Sequence, residues 1–125
     1  MTSWTTDELQ RIGDADELRV SSRRKDGSLR PYVTIWVVRL DDDIYIRSAM
    51  GPDNPWFRRA KASGTGRITA GGVERDVSFT DAATDAHSDI DAVYHTKYDR
   101  YGARFVSPVV GETAALATFR IVPED

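Results

Sequence analysis

The 125-residue sequence contains no cysteine, which excludes disulfide bonds, thiolate metal sites and cysteine nucleophiles. It has only two histidines, His87 and His95, which lie eight residues apart and close to several aspartates. That spacing covers about two turns of a helix, so a shared metal ion is one interpretation. We favour the other interpretation, in which acidic residues stabilise the positive end of a helix dipole. We therefore predict no metal site.

Long hydrophobic runs and the common nucleotide-binding signatures are also missing. No apolar stretch approaches the roughly 18–20 residues of a membrane span. The first residues show neither the basic nor the apolar region of a secretory signal. No glycine-rich Rossmann or P-loop motif and no nucleophile elbow is present. The expectation is a single domain over residues 1–125, cytoplasmic and without a membrane span.

The charged residues make up 30% of the chain and are unevenly distributed. Residues 19–75 hold 12 of the 17 basic residues and 6 of the 20 acidic ones, a local balance of +6. The rest of the chain has 5 basic and 14 acidic residues, a balance of −9. Such a separation suggests that the central segment meets an anionic ligand. A phosphorylated small molecule fits better than nucleic acid, which the acidic parts of the chain would repel.

Turn signals and alternating apolar residues predict an antiparallel β fold with helices. Lys25–Ser28 contains the Asp-Gly pair of a tight hairpin turn. The long apolar run Pro31–Leu40 predicts a central strand, with a core on one face and a ligand or partner subunit on the other. The predicted order is helix, three strands, helix, two strands, helix, strand. About six strands and about three helices in this order favour a mainly β, α+β fold built on a small closed or partly closed barrel.

The stretch Ile44–Ile68 is where a predicted strand, a loop and a helix meet. After a strand over Ile44–Ser48, Asn54 and Pro55 are typical of a helix N-cap and a first helical position, and Gly64 of a helix end. The N–H groups and positive dipole end of such a helix can bind an anion. An ordinary strand-to-helix connection with solvated basic residues is the alternative. This stretch alone does not decide between them.

A late helix, predicted from about Ser88 to Tyr101, places several tyrosines on one face. Tyr94 and Tyr98 lie four positions apart, and Ser88 with Asp91 has the spacing of a capping pattern. Tyrosine can pack on an aromatic ligand while its hydroxyl donates a hydrogen bond or a proton. Packing in the core is the alternative, and we weigh it above a site role for any single tyrosine.

Several short motifs resemble those of the split β-barrel flavin and deazaflavin oxidoreductases, the superfamily of pyridoxamine-phosphate oxidase and the deazaflavin-dependent nitroreductases. The motifs are a basic hairpin, a small-residue turn after a strand, a helix that opens with proline and tryptophan, and a tyrosine-rich helix followed by a basic residue and Pro-Val. They correspond to Arg24–Arg30, Ser48–Gly51, Asn54–Ala60, and Tyr94, Tyr98 and Arg104 with Pro108–Val109. The resemblance covers most of residues 18–122 and is closer to a branch of short single-domain relatives whose function is uncharacterised.

The resemblance implies a homodimer that binds a deazaflavin coenzyme or FMN and transfers hydride to or from a small organic substrate. Basic residues would contact the phosphate, polar residues would line the ring, and a tryptophan would form a wall. The cofactor-binding residues that it implies are Arg24, Lys25, Arg30, Tyr32, Thr34, Arg47, Ser48, Gly51, Trp56 and Arg59. Tyr94 or Tyr98 would face the substrate as a proton donor.

Two positions depart from the family pattern. Asp26 stands where the hairpin usually has serine or threonine, and Arg59 stands where the helix usually has asparagine. The alternatives to an oxidoreductase are a split-barrel binding protein without redox activity and a cofactor-free enzyme that uses the same pocket.

Overall fold

The computed structural model describes residues 3–124 as one curled antiparallel sheet with helices packed against it. The strands are β1 (Leu18–Ser22), β2 (Val33–Ile35), β3 (Val38–Leu40), β4 (Asp43–Arg47), β5 (Thr65–Ala70), β6 (Val73–Thr80) and β7 (Thr118–Pro123). The helices are α1 (Thr6–Asp14), α2 (Pro55–Ser63), α3 (His87–Tyr98), α4 (Ala103–Val106) and α5 (Glu112–Ala115). Within the described residues there are thus seven strands and five helices, against about six and about three predicted.

The sheet is curled but open at its edges, with the strand order β2-β1-β5-β6-β7-β4-β3. The two edge strands, β2 and β3, are consecutive in the chain and are separated only by Trp36 and Val37. From Ile35 to Val38 the chain can span at most about 11 Å, so the two edges of the sheet curl towards each other. All the strand pairings are antiparallel. The predicted antiparallel split barrel is therefore confirmed.

The apolar run Pro31–Leu40 is not the continuous central strand that its sequence predicts. It is divided at Trp36–Val37 into the two edge strands β2 and β3. At the break, the Val37 N–H donates to the Tyr98 hydroxyl at 3.1 Å, and Lys97 Nζ donates to the Val37 carbonyl at 2.7 Å. Side chains of α3 thus satisfy both backbone hydrogen-bonding groups of Val37 where the strand ladder is interrupted.

Two apolar clusters form the core. Alternate residues of β4 enter different clusters, Ile44 and Ile46 the first and Tyr45 the second, as the two faces of a strand require. The first cluster lies between the sheet and helices α1 and α2 and includes Leu9, Ile12, Leu18, Val20, Val37, Phe57, Ile68, Val77, Phe79, Phe119 and Ile121. The second lies against α3 and includes Val38, Tyr45, Ile90, Tyr94, Tyr98, Val106 and Val109.

Local sequence signals explain how the first two helices begin and end. In α1 the Thr5 N–H donates to the Glu8 carboxylate at 2.9 Å, and the Glu8 N–H donates to the Thr5 hydroxyl at 3.1 Å, which forms a complete capping box. Helix α2 has Pro55 in its first turn and ends before Gly64, whose φ of 75° is left-handed. Asn54 occupies the N-cap position, although its side chain makes no capping hydrogen bond.

Helix α3 begins differently from its prediction, because it starts at His87 and the predicted Ser88 cap does not form. Asp91 instead accepts hydrogen bonds from Arg47, at the end of β4, and from the Gly111 N–H in a later loop. Among residues 3–124, no helix combines the length and the apolar character needed to cross a bilayer.

Candidate functional site

The connection between β1 and β2, residues 23–32, contains a tight turn, Arg24–Ser28, that we call the basic hairpin. The Gly27 N–H donates to the Arg24 carbonyl at 2.9 Å, and the Arg24 N–H donates to the Ser28 carbonyl at 2.8 Å. The Asp26 carboxylate accepts hydrogen bonds from the Ser28 hydroxyl at 2.6 Å and the Ser28 N–H at 2.9 Å, which hold the pKa of Asp26 below its usual value. Asp26 stands where the family usually has serine or threonine. Its negative charge is therefore bound within the turn itself.

A groove of about 840 Å³ lies between the basic hairpin and α2. This is the size of a small-molecule site. Six of the eleven lining residues are arginine or lysine, and none is a carboxylate. The lining residues are Arg23, Arg24, Lys25, Gly27, Arg30, Pro55, Arg58, Arg59, Ala62, Ser63 and Thr65. We call it the basic groove.

The cations of the basic groove differ in what they contact. Arg24 donates to the Leu29 carbonyl at 3.0 Å and so supports the hairpin. Lys25, Arg58 and Arg59 are exposed, and within residues 3–124 they make no ion pair and no side-chain hydrogen bond. Cations without a counter-charge along one groove create a local positive potential, which attracts an anionic ligand.

A smaller apolar pocket of about 140 Å³ adjoins the basic groove. Arg30 and Arg59 line both cavities, so they mark the junction between them. The pocket residues are Val20, Ser22, Arg30, Pro31, Tyr32, Val33, Trp56, Arg59 and Ala60. Tyr32 and Trp56 provide aromatic surface of the kind that packs on a ring. The basic groove and the apolar pocket are thus neighbouring cavities, and we call the two together the cleft.

Arg30 has a hydrogen-bonding group with no partner at this junction. Its Nε is buried and makes no hydrogen bond within residues 3–124. The backbone of Arg30 is fixed on both sides, because its N–H donates to the Ser22 carbonyl at 3.0 Å and its carbonyl accepts from the Ser21 hydroxyl. A buried donor without an acceptor is costly, and an anion in the cleft would supply the missing acceptor. The residues present therefore fit a phosphate-bearing ligand.

Six of the ten residues predicted to bind a cofactor meet at this cleft. They are Arg24, Lys25, Arg30 and Arg59 in the basic groove, and Tyr32 and Trp56 in the apolar pocket with Arg30 and Arg59. Their roles towards a ligand remain predictions.

Three other predicted residues lie outside the cleft as these two cavities define it. Thr34 is exposed on edge strand β2. Ser48 is fully buried after β4, and its hydroxyl has no hydrogen-bond partner in the described residues. Gly51 is a turn residue with a φ of 80°, and its N–H donates to the Ser48 carbonyl at 3.2 Å. A positive φ accounts for glycine at this position without any ligand.

Arg47 lies away from the cleft, inside the protein, and its role as a phosphate contact stays a prediction. Its side chain is fully buried and faces the second core cluster. Nε donates to the Thr118 hydroxyl at 2.9 Å, and Nη1 donates to the Val109 carbonyl at 2.8 Å and to the Asp91 carboxylate. Nη2 lies 3.2 Å from His87 Nδ1. All three guanidinium nitrogens are thus engaged inside the protein.

The two tyrosines predicted to face a substrate lie in the second core cluster, and their catalytic role stays a prediction. Tyr94 and Tyr98 are each 0% exposed, and burial raises the pKa of both hydroxyls. The Tyr98 ring stacks on Trp36 with centroids 4.0 Å apart, and its hydroxyl contacts the backbone of Val37. The Tyr94 hydroxyl is buried without a partner among the described residues. A proton donor that meets substrate has to be reached from outside, so neither tyrosine meets that requirement in this conformation.

Sequence reasoning omitted two basic groove residues, Arg23 and Arg58, from the predicted binding set. Arg23 directly precedes Arg24, and Arg58 directly precedes Arg59. Side chains of neighbouring residues usually point in different directions, so adjacent positions are not expected to line one cavity. The signal that could have identified them is the run of consecutive basic residues, Arg23–Lys25 in the hairpin and Arg58–Arg59 in the helix.

The strand order and the curl of the sheet define the fold as a split β-barrel. The chain belongs to the family described as "Uncharacterized protein conserved in bacteria (DUF2255)", whose model matches residues 8–121. No functionally curated protein matches the sequence significantly.

Solved structures share the architecture at low sequence identity. HutZ, a heme storage protein from Vibrio cholerae, is 11% identical with a TM-score of 0.62, covering 93% of this chain and 87% of that one. A structure described as an F420 reductase is 15% identical with a TM-score of 0.59, covering 91% and 90%. A FAD-binding protein from Mesorhizobium loti is 17% identical with a TM-score of 0.56, covering 98% and 92%. At these identities the likeness establishes the fold.

Proposed function

We propose that this protein binds a phosphate-bearing deazaflavin or flavin cofactor in its cleft and acts as an oxidoreductase on a small organic substrate. The observation that carries the proposal is the buried, unpartnered Nε of Arg30 at the junction of the basic groove and the apolar pocket. A ligand with an anionic group next to an aromatic ring would fill both cavities and supply the acceptor that Arg30 lacks.

The roles of the residues follow from their places in the cleft. Lys25, Arg30 and Arg59 would hold phosphate by charge-assisted hydrogen bonds, and Tyr32 and Trp56 would pack on the ring. The cofactor, when bound, supplies the hydride chemistry. The protein residues bind it, orient it and shield one side of the ring from water.

The fold supports the choice of cofactor class, because structures described as an F420 reductase and a FAD-binding protein share it. The size of the apolar pocket supports a homodimer. At about 140 Å³ the pocket is smaller than the roughly 300–1,000 Å³ of typical ligand sites, so a second chain would complete the ring site. A cytoplasmic location remains a prediction from the sequence.

Absorbance of the freshly purified protein tests the proposal directly, because a retained flavin absorbs visible light. Titrating FMN and the deazaflavin separately into the protein, with light scattering to measure the mass of the complex, tests affinity and dimer formation together. We expect at least one cofactor to bind more tightly than about 100 μM, or roughly −5.5 kcal/mol. If neither does, the redox proposal is wrong.

Arg59→Gln and Arg104→Gln provide a matched pair of variants for this titration. Both remove one exposed positive charge, but Arg104 is not a lining residue of either cavity. Loss of about 1 kcal/mol, or about a fivefold weaker affinity, is expected for Arg59→Gln alone. Equal weakening by both variants would indicate non-specific attraction rather than binding in the cleft.

The second candidate function is a ligand-binding protein without redox activity. The burial of Tyr94 and Tyr98 favours it, because the two residues predicted to deliver a proton do not reach the cleft. A cofactor that binds but cannot be reduced and reoxidised with nitro, quinone or enone acceptors would support this candidate over the oxidoreductase.

A further inference from the structure

One carboxylate on the outer face of the sheet is bonded to two arginines, one on β5 and one just after β1. Asp76 Oδ1 accepts from Arg23 Nη2 at 2.9 Å and from Arg67 Nε at 2.8 Å. Arg67 lies directly opposite Asp76 in the β5–β6 pairing, whereas Arg23 follows β1 and lines the basic groove. Asp76, which lies outside the cleft, thus holds Arg23, one of the cations of the basic groove.

Arg23 connects this carboxylate to the basic hairpin. Its Nη1 donates to the Gly27 carbonyl at 2.8 Å, and its backbone N–H donates to the Thr65 carbonyl at 3.1 Å. The guanidinium is therefore held between Asp76 on β6 and the tip of the hairpin. The same turn carries Lys25, so the position of this second cation depends on where the hairpin tip lies.

We infer that Asp76 is a positioning residue for the anion site, acting through Arg23 to hold the basic hairpin against the basic groove. The inference rests on the proposed function only in requiring that the basic groove binds an anion. The direction in which anion affinity changes when Asp76 is replaced distinguishes positioning from simple electrostatic repulsion. A nearby carboxylate repels an anion, so its removal alone should strengthen anion binding, whereas loss of positioning should weaken it.

The charge that the inference needs is present at neutral pH. The hydrogen bond from Arg67, together with the positive charges of Arg67 and Arg23, holds the pKa of Asp76 below its usual value. The side chains of Asp76 and Arg23 are 39% and 26% exposed, so water screens the pair and its effect on binding is moderate.

Inorganic pyrophosphate is the probe that tests the inference without relying on a cofactor. Its affinity for the full chain is measured by titration calorimetry at low ionic strength. We expect Asp76→Asn to weaken pyrophosphate binding about threefold to fivefold. Asp76→Thr, which suits a partly exposed strand position, should weaken it similarly. Unchanged or tighter binding by these variants would overturn the inference.

Glu74→Gln is the matched control, because it removes the same charge from the same strand. Glu74 lies two residues before Asp76 and contacts Arg67 at 3.5 Å, but it has no bond to Arg23 in the described residues. We expect Glu74→Gln to bind pyrophosphate at least as tightly as the unmodified protein. Weakening equal to that of Asp76→Asn would also overturn the inference.

A double-mutant cycle with Arg23→Gln separates positioning from a general loss of structure. If Asp76 acts through Arg23, adding Asp76→Asn to Arg23→Gln should cause no further weakening, and the lost negative charge should favour the anion slightly. Further weakening in the double variant would mean that Asp76 supports the fold in general, which contradicts the inference.

The outcomes remain distinct from those of the proposed function. Pyrophosphate binding with the expected Asp76 effect, in a protein that binds neither FMN nor the deazaflavin, would reject the proposed function and retain the inference. Flavin binding in a protein whose Asp76 variants bind pyrophosphate like the Glu74→Gln control would support the proposed function and reject the inference. Failure of the unmodified protein to bind pyrophosphate would overturn the inference, and the flavin titration would still decide the proposed function.

Discussion

The Tyr98 hydroxyl accepts a hydrogen bond of 3.1 Å from the N–H of Val37, sixty-one residues earlier in the chain. Its own proton lies within reach of the carbonyls of Asp16, at 2.8 Å, and Val37, at 2.9 Å. This contact is made at the break between the two edge strands of the barrel. The tyrosine therefore replaces strand-ladder hydrogen bonds and holds α3 to the place where the two edge strands meet.

Removing this hydroxyl should lower stability and leave ligand binding unchanged. Tyr98→Phe keeps the ring that stacks on Trp36 but takes the acceptor from a buried N–H. We expect the free energy of unfolding to fall by about 1–3 kcal/mol, measured by urea denaturation. If stability is unchanged while turnover of a reducible substrate is lost, the catalytic role predicted from the sequence is correct.

The ion pair between Arg47 and Asp91 should be one of the strongest single supports of the fold. Arg47 is fully buried, and Asp91 Oδ2 also accepts from the Gly111 N–H at 3.2 Å. Asp91→Asn would leave the arginine charge buried without a counter-charge. We expect a loss of about 3 kcal/mol in the free energy of unfolding. Asp89→Asn, an exposed neighbour on the same helix, is the control and should stay within about 0.5 kcal/mol.

Lys97 should make stability depend on pH in the alkaline range. Burial lowers its pKa to about 8, although the carboxylates of Asp16 and Asp14 act in the opposite direction. An unfolded lysine has a pKa of about 10.4, so between about pH 8 and 10 the unfolded chain holds a proton that the folded chain has lost. Stability contributed by this residue therefore rises with pH across that range.

The measurement is the free energy of unfolding of the unmodified protein minus that of Lys97→Met, followed from pH 7.5 to 9.5. We expect this difference to increase with pH. The buried tyrosines lower the free energy of unfolding as pH rises, but only above about pH 10. Their pKa values are raised in the folded chain, so the unfolded chain loses those protons first. A difference that is constant across the range would show that Lys97 does not titrate there.

Arg30 should favour ligand binding at the expense of stability. Arg30→Met removes the buried Nε that has no partner and keeps most of the aliphatic chain. We expect affinity for pyrophosphate or a bound flavin to fall about tenfold, while the free energy of unfolding stays the same or increases. A variant that loses stability and keeps its affinity would show that the arginine supports the fold rather than the site.

Local sequence signals predicted the elements whose structure is fixed by neighbouring residues. The capping box of Thr5 and Glu8, the Asp-Gly turn of the basic hairpin and the helix end at Gly64 each depend on contacts within a few residues. The same holds for part of the site. The basic hairpin and α2 carry charge runs that are visible in the sequence, and the fold brings them together across the basic groove.

The features that the sequence did not reveal depend on residues far apart in the chain. The break at Trp36–Val37 is set by Lys97 and Tyr98, and the direction of Arg47 is set by Asp91 and Thr118. An apolar run predicts burial without showing which partner interrupts it. An arginine in a strand likewise does not reveal which face of the sheet it serves, because strands bury residues on either face.

The strand order has a consequence for how the chain folds during synthesis. Among residues 3–124, strand β4 pairs with β3 and β7 alone, and β7 occupies residues 118–123. Until those residues have emerged from the ribosome, the β3–β4 hairpin cannot join the four strands β2, β1, β5 and β6, which can pair earlier. Before then Ile44 and Ile46 cannot be covered by β7, so the nascent chain exposes apolar surface that the folded protein buries.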